Sequence, residues 1–406
     1  MDTVRFGVIG LGQRGASLVK DLFLVMPQVK VTALCDDYEN RAQEVADHVA
    51  EKTGNMPFVT KKYEDILTRG DVDAVLVLTP WETHIPMAIA AMKAGMPVGI
   101  EVGGATSVQQ CWDLVRTWEE TRTPFMFMEN CCYGQTEMTV MNMVRKGLFG
   151  EIVHCEGAYA HDLRDEISEG EERHHYRLRH YIKRNCENYP THELGPIAKL
   201  LNINNGNRMV SLSAMASKAA GLKDYLRTHK VAGCDENTVF AQGDVFTTCI
   251  RCANGETILL QLDTTLPRFY SRNFTVRGTK GMYEERTNSV FLDGDTRHFD
   301  WKPGWDNFTE YLKEHEHPLW AKFRQGGIVG GHGGMDGLVY GAFADCLING
   351  WDMPIDVYDA AAWMAITPLT EASIRMGGAV VDIPDFTDGR WLEREERNCG
   401  EYKLEK

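Results

Sequence analysis

The first third of the chain alternates between short apolar runs and longer stretches whose apolar residues recur at helical spacing. Val4–Ile9 and Val29–Cys35 are mainly apolar and predict buried strands, and residues 16–26 between them have the helical period and end at Pro27. Further apolar runs lie at 74–78, 98–101 and 125–128, with helical stretches at 41–52, 87–94 and 108–120. This alternation of strands and helices predicts a parallel, doubly wound α/β sheet, which we place in residues 1–135.

The loop after the first strand carries a glycine pattern that suits a bound dinucleotide. It reads Gly10-Leu11-Gly12-Gln13-Arg14-Gly15, and Asp36 follows the second strand, 21 positions after Gly15. The glycines allow a tight turn and the close approach of a pyrophosphate, and the helix start favours negative charge. Asp36 would accept a hydrogen bond from a ribose 2′-hydroxyl and repel a 2′-phosphate. The order of strand, loop, helix, strand and acid therefore predicts a Rossmann domain that binds NAD. Arg14 is the one feature in favour of NADP, unless it is simply solvated.

Polar residues follow the later strands of the same half. Carboxyl ends of parallel strands meet at one edge of a sheet, where ligands bind. We therefore expect these residues to line the cofactor site, although Trp81 or His84 alone would be interpreted as a packing residue. The set consists of Thr79, Trp81, His84, Glu101, Glu129 and Asn130.

The segment Tyr189-Pro190-Thr191-His192, near the middle of the chain, predicts the start of a helix. Pro190 fixes φ and disfavours helix at Tyr189, and Thr191 suits the N-cap or the first turn. Tyr189 and His192 are three positions apart, so they are expected to face the same side of the helix. A tyrosine and a histidine held in this way can move protons near a bound cofactor.

The second half reads mainly as strands. Residues 245–252 and 257–264 flank Asn254-Gly255, a strong hairpin signal, and 273–277 and 282–284 flank a second turn. The runs 290–292 and 297–301 are expected to extend this sheet, and 357–376 reads as one long helix. We predict an α+β domain with an open, mainly antiparallel sheet in residues 136–406.

The net charge indicates which partners are excluded, and the cysteines indicate the redox state of the compartment. The net charge of -15, without a long basic block, argues against nucleic acid or an anionic membrane surface. No long apolar span or export signal is present, which predicts a cytoplasmic protein unless a signal has been removed. Eleven scattered cysteines suit reduced thiols. Cys249 and Cys252 have CxxC spacing, but strand alternation places them on opposite faces.

A charged stretch at 162–184 contains His174, His175 and His180. Its histidines lack a regular ligand spacing, so a solvated loop or lid is favoured over a metal site. No metal is predicted. The glycines around His332 predict either a flexible loop or a close approach of that imidazole to a ligand.

The order of these motifs resembles the Gfo/Idh/MocA oxidoreductases, which join a Rossmann domain to an α+β domain with an open sheet. Many members have Glu-Lys-Pro, with a catalytic lysine, where this chain has Glu101-Val102-Gly103. A closer resemblance, from residue 5 to about 391, is to glycoside hydrolase family 109. It is carried by 79–84, 129–133, 158–163, Tyr189 to His192, 331–336 and 356–360.

The closer resemblance implies positions for the cofactor and the sugar. NAD contacts would fall on Gly12, Gln13, Arg14, Gly15, Asp36, Trp81, His84, Glu101, Val102 and Asn130, to which strand-end position adds Gly10 and Thr79. Substrate and catalytic contacts would fall on Glu129, Tyr159, Arg177, Tyr189, His192 and Tyr270, and we add His332 as a sugar contact.

The implied activity is NAD-dependent hydrolysis of α-N-acetylgalactosaminides. The sugar would be oxidised at C3, lose its C1 substituent by elimination across C1 and C2, add water and be reduced again. We assign His192 as the base on the C3 hydroxyl, with support from Tyr189, and Tyr159 as the group that deprotonates C2. Glu129 or Tyr270 would assist the leaving group or water, and Arg177 would bind the sugar.

Two other functions stay open at this stage. One is an NAD-dependent sugar or polyol dehydrogenase that releases NADH, and the other is a non-catalytic NAD-binding sensor. Two departures from the family bear on the sugar and its aglycone: a shorter segment between Asp162 and Arg177, and Glu193 where glycine is usual. A homo-oligomer, a dimer or larger, is expected through the free side of the open sheet.

Overall fold

A computed structural model of the protein describes residues 2–295 and 305–405. The strand predicted at 297–301 lies outside these residues. Within them, six strands form a parallel sheet in the order β3-β2-β1-β4-β5-β6. The strands are β1 (Val4–Ile9), β2 (Val29–Cys35), β3 (Phe58–Thr60), β4 (Ala74–Val77), β5 (Val98–Ile100) and β6 (Phe125–Phe127). The predicted Rossmann sheet is thus confirmed.

Helices cover this sheet, and three of them begin earlier than predicted. The helices are α1 (Gln13–Ser17), α2 (Glu39–Thr53), α3 (Tyr63–Leu67), α4 (Trp81–Lys93) and α5 (Val108–Thr121), of which α1, α2 and α4 begin early. α1 starts directly after Gly12 and continues as a π-helical stretch to Phe23. α4 starts at Trp81 because Pro80, whose φ is fixed, serves as its N-cap. Trp81 and His84 therefore belong to the first turn of a helix and not to a loop.

The second half contains an eight-stranded sheet in the order β13-β12-β11-β7-β10-β9-β8-β14 among the described residues. Its strands are β7 (Ile152–Ala160), β8 (Met209–Ala216), β9 (Val245–Cys252), β10 (Thr257–Asp263), β11 (Thr275–Gly278), β12 (Gly281–Glu284), β13 (Ser289–Leu292) and β14 (Val381–Asp382). β7 and β10 pair in parallel and the other pairs are antiparallel. Both predicted hairpins, β9–β10 and β11–β12, are present.

The helices of the second half include two that replace one predicted helix. They are α6 (Gln135–Arg145), α7 (Arg164–Ser168), α8 (Arg177–Lys183), α9 (Thr191–Leu200), α10 (Gly221–Leu226), α11 (Phe308–His315), α12 (Pro318–Gly326), α13 (Met335–Asn349), α14 (Val357–Met364) and α15 (Ile366–Arg375). The stretch predicted as one helix breaks between α14 and α15 because Pro368 has no N–H for the carbonyl of Met364. That carbonyl accepts instead from the amide of Ala105, at 3.1 Å.

The chain returns to the first sheet after building the second one. Phe343 of α13 stacks on Phe6 of β1 with ring centroids 5.8 Å apart. The amide of Phe127 in β6 donates to the carbonyl of Ile355 at 3.0 Å. Residues near the end of the chain thus complete the core of the first half. The division into domains 1–135 and 136–406 stays a prediction.

One face of the second sheet is covered by helices and the other is polar. α9 packs on β7, where a Cβ at Gly157 would come within 2.8 Å of the backbone of Glu193. In β9 the buried and exposed positions alternate, so Cys249 is exposed and Cys252 is buried, as predicted. All eleven cysteines are free thiols. None of the described helices combines the length and apolarity needed to cross a bilayer.

Candidate active site

A cavity of about 590 Å³ opens where β1, β2, β4 and β5 end, and it continues to β7 and the start of α9. Doubly wound sheets bind ligands at this edge. Most of the residues predicted for the cofactor and the substrate line the cavity. They are Gly10, Gly12, Gln13, Arg14, Asp36, Thr79, His84, Glu101, Val102, Asn130, Tyr159, Arg177, Tyr189, His192 and His332.

Four predicted residues stand behind or beside this wall. Gly15 lets α1 approach the first strand, because a Cβ there would lie 2.0 Å from the carbonyl oxygen of Gly10. Trp81 and Glu129 are buried behind the lining. Tyr270 is half exposed, with its ring 5.2 Å from that of His161.

The glycine loop is shaped by Asp36. One carboxylate oxygen of Asp36 accepts from the amide of Leu11 at 2.7 Å, and the other accepts from the amide of Tyr38 at 2.8 Å. Gly10 has a φ of 96°, and an added Cβ at Gly12 would meet no atom within 4 Å. Each carboxylate oxygen keeps a free lone pair, so Asp36 can still accept from a ribose hydroxyl. The loop therefore has the open cradle and the acceptor that NAD requires.

Arg14 is not a solvated residue of this loop, as one alternative had it. Its guanidinium donates to Glu101 at 3.0 Å and to both carboxylate oxygens of Asp336 at 2.7 and 2.8 Å. Burial lowers the pKa of Arg14, but the charges of Glu101 and Asp336 outweigh it and raise the pKa. Asp336 also accepts from Asn130 at 2.8 Å and contacts Nδ1 of His332 at 2.9 Å. One carboxylate thus joins three predicted cofactor and substrate residues.

Trp81 packs against the loop that follows β5. Its indole lies against Gly103, where an added Cβ would be 2.2 Å from the ring. The adjacent Val102 has no ionisable group, and Glu101 is occupied by Arg14 and by the hydroxyl of Tyr340 at 2.8 Å. The ionisable groups that line the cavity also include His192, from the second half of the chain.

His192 lies at the start of α9 and lines the cavity. Its Nδ1 lies 2.7 Å from Oε1 of Glu129, and its Nε2 lies 3.4 Å from the hydroxyl of Tyr189. Tyr189 and His192 share one side of the helix start, as their spacing predicts. Thr191 is the first helical residue, with Pro190 as N-cap. A carboxylate at Nδ1 fixes the imidazole and leaves Nε2 to exchange a proton at the cavity.

The histidine and the carboxylate shift each other's pKa. Burial lowers the pKa of His192, but Cys131 and Glu129 outweigh this effect and raise it to about 10. Burial raises the pKa of Glu129, but the charge of His192 and its hydrogen bond outweigh that effect and lower the pKa. In the cofactor-free protein the pair is therefore an imidazolium and a carboxylate at neutral pH.

Tyr159 forms the next wall of the cavity. Its ring lies 4.6 Å from that of Tyr189 and 5.6 Å from that of His192. Burial raises the pKa of its hydroxyl to about 12, so the group is a phenol at neutral pH. The hydroxyl lies 3.3 Å from Nδ1 of His161, whose pKa is lowered by burial. A neutral His161 can accept the phenolic proton, and this assigns it a role that strand position alone did not suggest.

Arg177 is a buried cation with unused donors. Its guanidinium lies 5.0 Å from the ring of Trp81 and 4.8 Å from the ring of Tyr189, and its Nε is 2.7 Å from Glu166. Its Nη1 is buried without a protein partner. Arg177 lines the cavity, so hydrogen-bonding capacity that the protein does not use lies beside the space for a ligand.

Two family profiles together match nearly the whole chain. The NAD-binding Rossmann fold of the oxidoreductase family matches residues 4–128, and the C-terminal domain of glycosyl hydrolase 109 matches residues 133–393. The chain belongs to glycosyl hydrolase family 109. It is 39% identical, over 97% of its length and 88% of the relative's, to an alpha-N-acetylgalactosaminidase of Tannerella forsythia. It is 40% identical, over 96% of its length and 90% of the relative's, to a family 109 protein of Stenotrophomonas maltophilia.

Solved structures share the fold of this family 109 member. A levoglucosan dehydrogenase in complex with NADH and levoglucosan has a TM-score of 0.68 at 17% identity, over 94% of this chain and all of the other. A scyllo-inositol dehydrogenase from Lactobacillus casei with bound NAD(H) and scyllo-inositol has a TM-score of 0.65 at 12% identity, over 94% of this chain and 99% of the other.

In this family 109 member, the charged stretch at 162–184 is partly helical and packs over the cavity, and is not a solvated loop. His174 stacks on Tyr38 with ring centroids 4.4 Å apart, beside the end of β2. His180 lies 2.9 Å from Glu82, beside the end of β4. His175 faces Glu166 at 3.5 Å. The three histidines have separate partners, and no cluster of possible metal ligands among the described residues includes them.

Proposed function

We propose that this chain is an NAD-dependent glycosidase that hydrolyses α-N-acetylgalactosaminides without net oxidation. The observation that carries the proposal is the chain of contacts from Glu129 through His192 to Tyr189, in the same cavity as the glycine loop and Asp36. The name of the Tannerella forsythia relative supports the choice of sugar. The bound NAD supplies a reversible hydride acceptor for one carbon of the sugar.

His192 exchanges the proton of the C3 hydroxyl in this proposal. Its Nε2 faces the cavity while Glu129 holds Nδ1, so the ring has one defined proton-transfer atom. His192 must lose its own proton first, and a second cation in the same cavity, such as an oxidised nicotinamide, favours that loss. Tyr189, within 3.4 Å of Nε2, orients the imidazole and shares its proton.

Tyr159 exchanges the proton at C2, which becomes acidic once C3 is a ketone. A phenol with a pKa of about 12 is a poor base by itself. The proposal therefore includes His161 as the acceptor of the phenolic proton, across the 3.3 Å contact. With C2 deprotonated, the substituent at C1 leaves, and water adds there before the steps reverse.

Arg177 and the outer wall bind the sugar. The unpartnered Nη1 of Arg177 donates to a ring hydroxyl or to the acetamido oxygen. Tyr270 borders the cavity beside His161 and is placed to assist the leaving group, and His332 contacts the sugar from the side of Asp336. A conventional glycosidase needs a pair of free carboxylates across the scissile bond. Glu101 and Glu166, two carboxylates that line this cavity, are each paired with an arginine.

A labelling experiment tests the proposal. The protein is incubated with aryl α- and β-glycosides of N-acetylgalactosamine in deuterated water. We expect the α-anomer to release aglycone, the sugar to carry deuterium at C2, and NADH not to accumulate. Release without deuterium at C2 excludes the elimination path. Accumulation of NADH with free sugar as substrate would instead indicate a sugar or polyol dehydrogenase, and NAD binding without any reaction a sensor.

We also propose two domains, 1–135 and 136–406, and a homo-oligomer formed through the free face of the second sheet. That face includes the exposed residues Met215 and Cys249. The unpaired cysteines support a reducing, cytoplasmic location. Sedimentation velocity of the wild type and of Met215→Glu tests the oligomer: the variant is expected to dissociate, and an unchanged sedimentation coefficient would contradict this interface.

A further inference from the structure

Three possible metal ligands meet directly beneath the cavity. Glu129, Cys131 and His192 lie on two segments, and one possible ligand atom of each residue lies within 4.8 Å of the others. Nδ1 of His192 is 2.7 Å from Oε1 of Glu129. Glu129 and Cys131 are buried, and His192 opens to the cavity. The proposed hydrolysis uses His192 and Glu129 but has no task for the thiol of Cys131.

The three groups suit one ion in particular. A carboxylate, a thiolate and an imidazole are the ligands that Zn²⁺ takes in proteins, usually in tetrahedral geometry. The carboxylate and the thiolate carry two negative charges, which balance a dication in a buried place. Metals that prefer oxygen ligands, such as Mg²⁺ and Ca²⁺, gain little from sulfur and nitrogen.

The residues around this cluster leave one oxygen of Glu129 free to bind a metal ion. Oε2 of Glu129 is buried and has no protein partner, so a metal can take this oxygen without breaking an existing bond. Nη1 of Arg272 lies 3.4 Å from Sγ of Cys131. Arg272 is itself paired with Glu137, so its charge is compensated locally.

We propose that Glu129, Cys131 and His192 bind Zn²⁺, with a fourth position open to the cavity, and that the bound ion stops turnover. Binding releases the proton of the Cys131 thiol to solvent and removes the proton that His192 carries at Nδ1. The coordinated ring then holds its remaining proton at Nε2. No lone pair faces the cavity, so His192 has lost the acceptor that the proposed hydrolysis needs. This second part rests on the proposed function.

Co²⁺ can substitute for Zn²⁺ and report its ligands by visible and near-ultraviolet absorption. The NAD-loaded protein is titrated with CoCl2, and we expect one equivalent to produce a thiolate-to-cobalt charge-transfer band that ZnCl2 removes. Cys131→Ser is expected to abolish the band. The matched control is Cys249→Ser, which removes the one exposed thiol and is expected to keep the band. A band that persists in Cys131→Ser, or that disappears in Cys249→Ser, overturns the site.

A second measurement needs no variant, in case Cys131→Ser folds poorly. X-ray absorption of the zinc-loaded wild type should show one sulfur at about 2.3 Å with nitrogen and oxygen at about 2.0–2.2 Å. A shell without sulfur overturns the site. These binding readouts do not depend on turnover, so they stand even if the protein does not hydrolyse glycosides.

The inhibition is measured separately. With an α-N-acetylgalactosaminide that the wild type hydrolyses, zinc should lower the rate at least tenfold in parallel with occupancy, and a chelator should restore it. Full activity of the protein with zinc bound at Cys131 would refute the inhibition and leave the binding site in place.

Discussion

Nδ1 of His192 lies 2.7 Å from Oε1 of Glu129, and this contact joins the end of the first sheet to the start of α9. Glu129 follows β6, and its side chain also accepts from the amide of Cys131 at 3.1 Å. The carboxylate is fully buried and cannot turn away from the ring. The orientation of the His192 imidazole is therefore fixed by the Rossmann half, although the histidine itself belongs to the second half.

Replacing Glu129 with Gln should lower kcat by roughly 10³–10⁴-fold, because the amide no longer stabilises the imidazolium or its tautomer. The measurement is steady-state hydrolysis of an aryl glycoside by the NAD-loaded variant. Glu187→Gln is the matched control. Glu187 is equally buried, but burial raises its pKa to about 8, so glutamine resembles its protonated form at neutral pH. Equal losses in both variants would contradict a specific role for Glu129.

Alkaline pH should weaken the fold through His192. Its pKa of about 10 in the folded protein lies above the ordinary value of about 6.5. Its contribution to the free energy of unfolding is therefore full below about pH 6.5 and is lost as the pH rises to about 10. Urea unfolding of the cofactor-free protein at about pH 7 and about pH 10 should show a larger loss for the wild type than for His192→Gln. Parallel losses in the two proteins would place the pKa of His192 near its ordinary value.

Replacing Asp336 with Asn should destabilise the protein by about 1–3 kcal/mol, because the partly buried guanidinium of Arg14 loses its bidentate, charged partner. NAD affinity should fall in the same variant, since Arg14 and Asn130 are both held by Asp336. Urea unfolding and calorimetric NAD titration measure the two effects. Asp345→Asn, on the same helix but away from the loop, is the control. Unchanged NAD affinity in Asp336→Asn would separate this network from the cofactor site.

A methyl group at position 103 should disturb Trp81. A Cβ at Gly103 would lie 2.2 Å from the indole, and the φ of 153° is strained for other residues. We expect Gly103→Ala to lose about 1–3 kcal/mol of stability and to bind NAD more weakly. Gly70→Ala is the control, because an added Cβ there meets no atom within 4 Å. Wild-type stability of Gly103→Ala would mean that the indole can move at no cost.

Local patterns predicted the parts of the site that depend on neighbouring residues. The glycine loop and Asp36 follow from one strand–helix–strand unit, and their hydrogen bond is observed. The shared side of Tyr189 and His192 follows from helical spacing, and their contact is observed. In each case the geometry is set within a single element or between two consecutive ones.

Contacts between distant segments were beyond the reach of sequence patterns. Arg14 and Asp336 are 322 positions apart, and Tyr340 and Glu101 are 239 apart. From the sequence alone, Arg14 in the glycine loop is expected to be solvated, because its partner Asp336 belongs to the distant helix α13. Similarly, the helices in 162–184 are short, and packing on Tyr38 and Glu82 stabilises them more than their own propensity does.

The contact between Arg14 and Asp336 has a consequence for biosynthesis. Ribosomes make the glycine loop first and α13 almost last, and proteins fold as they emerge. A nascent chain that has completed all six strands of the first sheet still carries an Arg14 without its carboxylate. High-affinity binding of NAD then requires that Asp336 has left the ribosome. A chain truncated before that residue is therefore expected to lack bound NAD.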